Sequence, residues 1–332
     1  MIDLHLHLDG SLDVKDFLYL SNKEGIALPN DFPSCIHVSK DCKSLEEYLE
    51  KFALPISLMQ SRENIRFVTR SLVNRIYQLG YIYAEIRFAS QLHTNKGLTQ
   101  VEVIEAALEG LKQGLINKPH FDVNLIICLM RQAPEEVNKE SIDAVLQVNS
   151  NKVVAIDLAG PEGYKDTKEY SSLIKYAREK GLNVTIHAGE ACPNESIMSA
   201  IDIGAMRIGH GVHLSFDEKS IKKVKDNHIC FEFCPTSNIQ TTSLPSYDDV
   251  PLKEFRKNQI PVSINSDNMS VSNTNVIEEF KHLINTFSLS EEDVFYYIKN
   301  ALDMSFIDKT KKEDLMNVLN YKFSLFYQKL KA

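Results

Sequence analysis

The sequence predicts an α/β fold, a (β/α)8 TIM barrel with a helical insertion after the first strand. Three observations carry that expectation. Eight short β-branched or aliphatic runs recur along the 332-residue chain. The stretches between them read mostly as helices, and the first of those stretches is far longer than a connection needs to be. Alternating strands and helices imply a parallel sheet, and eight such units suggest closure into a barrel.

In order, the expected strands are 2–7, 82–88, 123–130, 153–158, 183–187, 207–210, 229–233 and 262–265. Residues 101–116 are the clearest intervening helix, with Val101, Ile104, Leu108, Leu111 and Leu115 at helical spacing. No repeat, low-complexity tract or Pro/Gly linker interrupts the chain, so residues 1–332 are expected to form one domain. The long first spacer, residues 8–81, compares with ordinary βα and αβ loops of about 2–6 residues. It carries the helical stripe Leu45, Tyr48, Leu49 and Phe52. An insertion after a strand's C-terminal end sits at the catalytic face of a barrel. The stripe therefore either caps a substrate or packs added helices onto the barrel.

Composition narrows the class. With 43% apolar and 25% charged residues, the chain can bury functional groups without disulfides. A net charge of −8 offers no electrostatic footprint for nucleic acid or anionic membranes. The six cysteines include no CxxC pair, so reduced and mostly buried thiols are expected, with neither a zinc ribbon nor a redox dithiol. The opening Met1-Ile2-Asp3 has an acid where a signal peptide would be basic. The longest apolar stretch, 123–130, is too short to span a bilayer, so a cytoplasmic protein is expected. The sequence carries no signal of oligomeric state.

Polar residues gather where the expected strands end. In His5-Leu6-His7 alternate residues share a face, so both imidazoles project together. His187 closes the fifth strand, followed by Ala188-Gly189-Glu190; His210 closes the sixth; Asp267 follows the eighth. Barrel geometry brings all of these to one mouth. Any one buried histidine is commonly a packing residue, but the whole set at strand C-termini is hard to explain as packing. Three imidazoles and a carboxylate bind zinc well, leaving room for a water whose pKa falls to about 7. Glu190 is placed to manage protons, and His210 to orient or deprotonate the water. Such a set hydrolyses amides, esters or amino-substituted heterocycles, and spacing alone does not choose among them.

At these residues the sequence resembles the adenosine deaminase family of the amidohydrolase superfamily. The matching motifs are His5-Leu6-His7-Leu8-Asp9-Gly10-Ser11, Asp157-Leu158-Ala159-Gly160, His187-Ala188-Gly189-Glu190, Gly209-His210-Gly211 and Asn265-Ser266-Asp267. They stand in the family's order and cover most of the chain, and the family's fold is the same barrel. The resemblance implies one zinc ion (Zn2+) per chain, held by His5, His7, His187 and Asp267. It implies that Glu190 is protonated and gives its proton to purine N1, and that His210, helped by Asp267, positions the attacking hydroxide. Ammonia then leaves C6, converting adenosine (and 2′-deoxyadenosine) to inosine or its deoxy counterpart. Gly160 would offer its N–H to purine N3, Asp9 would bind the ribose, and His7 would also face the substrate. Leu45, Tyr48 and Leu49 resemble the family's apolar flap more loosely. The implied partner is thus a small purine nucleoside, with no nucleic acid and no membrane.

Two departures stand out. The family usually has consecutive aspartates where this chain has Asp267-Asn268, the second meeting purine N7. Asn268 can donate to N7 through its amide without titrating; the alternative is a modified purine nucleoside as substrate. Pro161 replaces a commonly acidic residue. Adenine deaminases tend to carry Glu at the position of Asp9, so Asp9 favours a nucleoside over the free base. Three rival classes are poorly supported. The fourth strand ends without the lysine that bridges two metals in many barrel hydrolases. The Pro-Cys-x-x-Cys signature of cytidine-type deaminases is absent. A catalytically dead relative would have lost some of His5, His7, His187, His210, Glu190 or Asp267, and all six are present. His213 and the other histidines, His37, His93, His120, His228 and His282, belong to no motif and are expected at the surface or in packing.

Overall fold

Eight strands form in the expected order: β1 Ile2–His7, β2 Tyr83–Phe88, β3 Asp122–Met130, β4 Val153–Ala159, β5 Asn183–Ala188, β6 Arg207–His210, β7 Cys230–Phe233 and β8 Val262–Ile264. The structure is a computed structural model describing residues 1–39 and 41–331; Lys40, inside the insertion, and Ala332 lie outside the described residues. Each strand is parallel to the next. The ring closes just past β8, where His7 N–H donates to the Asp267 carbonyl at 2.7 Å and Asp267 N–H to the His5 carbonyl at 2.8 Å. Strand β8 ends a residue earlier than expected, at Ile264; Asn265 N–H still donates to the Phe233 carbonyl at 2.9 Å, and its side chain adds further bonds. Its Oδ1 accepts from Leu4 N–H at 2.9 Å and its Nδ2 donates to the Phe233 carbonyl at 3.1 Å.

Along β1 the side chains alternate. Leu4 and Leu6 are buried within the main apolar cluster, whereas Asp3, His5 and His7 face the barrel interior. That interior is charged at its centre. Arg87 on β2 reaches Asp157 on β4 at 3.0 Å and Glu232 on β7 at 2.8 Å, and all three are fully buried. Arg207 on β6 joins Glu232 and Glu85, both at 2.6 Å. Burial alone would raise the Glu232 carboxyl, but the Arg87 and Arg207 charges outweigh it and hold that carboxyl well below the usual range. Removing one partner from such a network strands a buried charge and costs about 3–5 kcal/mol.

The expected helix at 101–116 runs Gln100–Gly114. Thr99 caps it, accepting from Glu102 N–H while the Glu102 carboxylate accepts from Thr99 N–H, so it starts a residue early. The insertion after β1 contains helices Val14–Glu24, Leu45–Leu49, Ala53–Leu58 and Arg62–Gln78. The last of these is the barrel helix preceding β2. The stretch from Leu45 to Leu58 lies over the mouth, with Tyr48 in a small apolar cluster with Cys42 and Val271, separate from the main core. All six cysteines are unpaired, four of them buried. Among the described residues no helix is long and apolar enough to cross a membrane.

Candidate metal and substrate site

His5 and His7 end β1 with Nε2 atoms 3.3 Å apart. Asp267 Oδ1 stands 3.5 Å from the first and 3.4 Å from the second. Ligand bonds of about 2.0–2.1 Å in a tetrahedron put neighbouring ligand atoms roughly 3.3–3.4 Å apart, so these three are spaced for one small cation. His187, closing β5, contributes a third ring, one nitrogen of which lies within 4.8 Å of its counterparts on His5 and His7.

Tautomers support the same conclusion. His5 Nδ1 is 2.8 Å from Glu232 Oε2, and His187 Nδ1 is 3.0 Å from Asp157 Oδ2. A carboxylate accepts, so each Nδ1 carries the proton and each Nε2 keeps its lone pair toward the cluster. Converging lone pairs repel unless a cation lies among them. The donor set therefore fits a metal, and nitrogen-rich ligands with one carboxylate suit zinc. Cys234 also lies within reach of His5, His210 and Asp267. Burial, with the charge of Asp267, pushes its thiol up.

Glu190 and His210 face the cluster. His210 Nε2 is 3.6 Å from Glu190 Oε2, and Asn238 meets His210 Nδ1 at 3.0 Å. Burial lifts the Glu190 carboxyl well above its ordinary range, and the charges of Asp267 and Glu162 push the same way. Burial drives His210 below its ordinary range, although Asp267 pulls against it. Asp267 stays ionised: burial would raise it, but His5, His7 and His210 hold it well down. His210 and Asp267 sit at φ 60° and φ 58°, left-handed conformations uncommon for such residues and more frequent at functional positions.

A cavity of about 320 Å³ opens beside this cluster. His7, His187, His210, Glu190 and Asp267 form one wall, and Asp9, Gly160, Asn268, Leu45, Tyr48 and Leu49 contribute to the rest. Every sequence-predicted site residue except the deeper His5 lines this one cavity. No lysine or arginine lines it among the described residues. Leu45, Tyr48, Leu49 and Phe52 all line the pocket, and Tyr48 and Phe52 also pack in the small cluster with Cys42 and Val271. Gly160 has φ 94°, open to glycine and rare for other residues, and a Cβ there would meet Gln132. A Cβ at Gly10 would overlap the Asn268 side chain, so the glycine after Asp9 makes room for that amide. Asn268 Nδ2 donates to Tyr48 Oη at 2.9 Å, and Tyr48 Oη is 2.6 Å from Ser272 Oγ.

Several supporting residues carry no local sequence signal. Glu232, Arg87 and Asn238 belong to no site motif. Neither does Glu162, whose carboxylate accepts from the backbone N–H groups of Gly189, Glu190, Ala191 and Cys192 at 2.6, 3.0, 2.8 and 3.0 Å. Asp157 lies within a quoted motif, but only the fold pairs it with His187. His93, expected at the surface or in packing, is wholly buried next to Asp9.

A family model described as adenosine deaminase matches residues 1–322. An adenosine deaminase of Haemophilus ducreyi is 38% identical over 324 residues, covering 95% of this chain and 94% of that protein. One from Clostridium perfringens is 39% identical over 321 residues, covering 95% and 96%. Among solved structures, an adenine deaminase from Arthrobacter aurescens superposes with a TM-score of 0.87 at 23% identity, covering 100% of this chain and 99% of that one, a likeness of fold.

Proposed function

The chain belongs to the adenosine deaminase family and deaminates adenosine, and we propose that it does so hydrolytically at one zinc ion held by His5, His7, His187 and Asp267. When bound, zinc supplies a Lewis acid that makes water nucleophilic near neutral pH. The remaining work falls to the chain's own side chains. Glu190 holds a proton and gives it to purine N1, which draws electron density from C6. His210 takes a proton from the attacking water, for which its Nε2 needs a free lone pair. Asn238 supplies that tautomer when its amide oxygen, otherwise buried without a partner, turns toward Nδ1–H. Water adds at C6, the proton taken by His210 passes to N6, the C6–N6 bond breaks to release ammonia, and the C6 hydroxyl returns a proton to Glu190, leaving inosine.

Binding follows the pocket walls. Gly160 N–H meets purine N3, Asp9 accepts from the sugar, His7 faces the substrate, and Leu45, Tyr48 and Leu49 cover the base. Asn268 meets N7. Its oxygen is buried without a partner while its nitrogen is spent on Tyr48. Turning that amide over lets the Tyr48 hydroxyl donate to the oxygen and frees Nδ2 for the N7 lone pair. A wall without lysine or arginine among the described residues favours an uncharged sugar end over a nucleotide, and 2′-deoxyadenosine is a second expected substrate. The same proposal takes residues 1–332 as one barrel domain working in the cytoplasm.

The observation that carries this mechanism is Glu190, a buried carboxyl held above its usual range beside the donor cluster. Replacing it by Gln keeps shape and removes the acid. Inosine formation by Glu190→Gln should fall by roughly 10²–10⁴-fold, with zinc content unchanged. In the wild type the acid must be protonated, so kcat/KM declines as pH rises through its upward-shifted folded-state pKa. A Glu190→Gln enzyme working at the wild-type rate would sink the assignment.

A further inference from the structure

We propose that His93 is a second sugar-binding residue, its Nε2 accepting a hydrogen bond from a hydroxyl of the substrate's sugar beside Asp9. His93 ends the short 3-10 helix Ser90–His93 that follows β2, so it lies at the barrel mouth, and it is fully buried. Its Nδ1 is 3.1 Å from the Met59 carbonyl. A carbonyl only accepts, so Nδ1 carries the proton, and in a neutral ring Nε2 is then an acceptor. Burial, which lowers the ring's pKa to about 4, keeps it neutral. Nε2 nevertheless has no partner among the described residues.

Facing it is a second acceptor in the same condition. Asp9 Oδ2 is 3.9 Å from His93 Nε2, too far for a hydrogen bond, and Asp9 Oδ1 is also buried without a partner. Buried polar atoms are rarely left unpaired, and once Asp9, which burial lifts to about 7, is ionised, two acceptors are turned toward one another and call for donors from outside the protein. Asp9, Ala89 and Leu92 all line the substrate cavity, and His93 stands directly behind that wall, so a small shift of the wall is what brings its Nε2 within reach of a sugar hydroxyl. A phosphate would bring more acceptors to a place that lacks donors. A polyol brings hydroxyls, and two hydroxyls of one sugar can address two acceptors at this separation. Given Asp9 as the carboxylate at the sugar end, as proposed above, His93 adds the second contact and makes the site read more than one hydroxyl.

The test is steady-state kinetics of the zinc-loaded enzyme with adenosine and its 2′-, 3′- and 5′-deoxy analogues. His93→Asn leaves a donor near Nδ1 for the Met59 carbonyl and deletes the far acceptor. His93→Phe deletes it while keeping the ring's bulk, and so carries the same comparison if the Asn variant does not fold. His93→Gln returns an acceptor near the Nε2 position. The wild type should discriminate by about tenfold or more in kcat/KM against at least one analogue. Either deletion should lose that discrimination, chiefly through a raised KM for adenosine, with the matching analogue within about twofold of wild type. Gln should recover part of it. A deletion that slows all four substrates by one factor would overturn the inference, because a packing or water-holding role predicts that uniform loss. Wild-type indifference to every hydroxyl would overturn it too. Asp9→Asn separates the two levels: discrimination lost there but kept in the His93 deletions overturns the His93 contact alone, and discrimination kept in all of them overturns the sugar-end assignment as well.

Discussion

Position 268 shows how much one atom type can decide. The family's usual second aspartate must be protonated to donate to purine N7, whereas the Asn268 amide donates at any working pH. The rest of the site accommodates this side chain: Gly10 leaves space for it, and the Tyr48 hydroxyl, tied to Ser272, fixes one end of the amide. Asn268→Ala should lower kcat/KM for adenosine by roughly tenfold, the value of one neutral hydrogen bond made inside a closed pocket. With 7-deazaadenosine, which has no N7 to receive the bond, the same substitution should cost little. Equal losses on the two substrates would show that Asn268 shapes the pocket and makes no contact to N7.

The loop after β5 carries Glu190, and its shape is set by a residue from another loop. Glu162, just past β4, offers one carboxylate to four successive backbone N–H groups, 189–192, and to the Ser196 hydroxyl at 2.5 Å. Without an acceptor the amides of Gly189 and Glu190 would be buried and unpaired, each at a cost of about 1–3 kcal/mol. The cradle fixes the Glu190 backbone, in the proposed mechanism where its carboxyl reaches the purine, and the Glu162 charge helps push that carboxyl above its ordinary range. Glu162→Ala should therefore lower the melting temperature and reduce kcat by roughly a hundredfold, since a misplaced catalytic group of this kind costs on that order. KM should change little, because Glu162 stands outside the wall that holds the substrate. Thermal melts and steady-state assays on one preparation check both halves.

Across the whole molecule, the proposed metal donors rest on a charge network that spans the barrel. Arg87 joins β2 to β4 and β7, and the two carboxylates it meets are the ones that receive His5 and His187. Stability and ligand orientation are thus held by the same buried groups. Arg87→Met keeps the apolar stem but leaves Asp157 and Glu232 short of a positive partner. It should destabilise the fold by about 3–5 kcal/mol and weaken metal retention together. Urea unfolding and metal content after dialysis measure the two effects. Loss of stability with undiminished zinc affinity would separate the network from the site.

Much of the fold and the candidate site is legible in the sequence, and the residues show why. Strand runs and the His-x-His spacing are local signals: β1 and β6 match their expected bounds, and His5, His7, His187, His210 and Asp267 stand at or just beyond strand ends, where a barrel must open. The finer boundaries moved where tertiary bonds intervened, as at Asn265. The supporting partners were another matter. Glu232 meets His5 across a sequence separation of 227 residues, and Asp157 meets His187 across 30. Such pairings depend on which strands adjoin and in what register, and no local pattern records that. His93 shows the same limit, because one histidine in no motif looks like packing until burial leaves its Nε2 facing Asp9 without a donor. The barrel, the candidate ligands and the family likeness follow from local patterns in the chain. Which side chains hold those ligands in their tautomers, and which buried atoms are left for a substrate to satisfy, follows from the folded ring alone, because both depend on contacts between strands far apart in sequence.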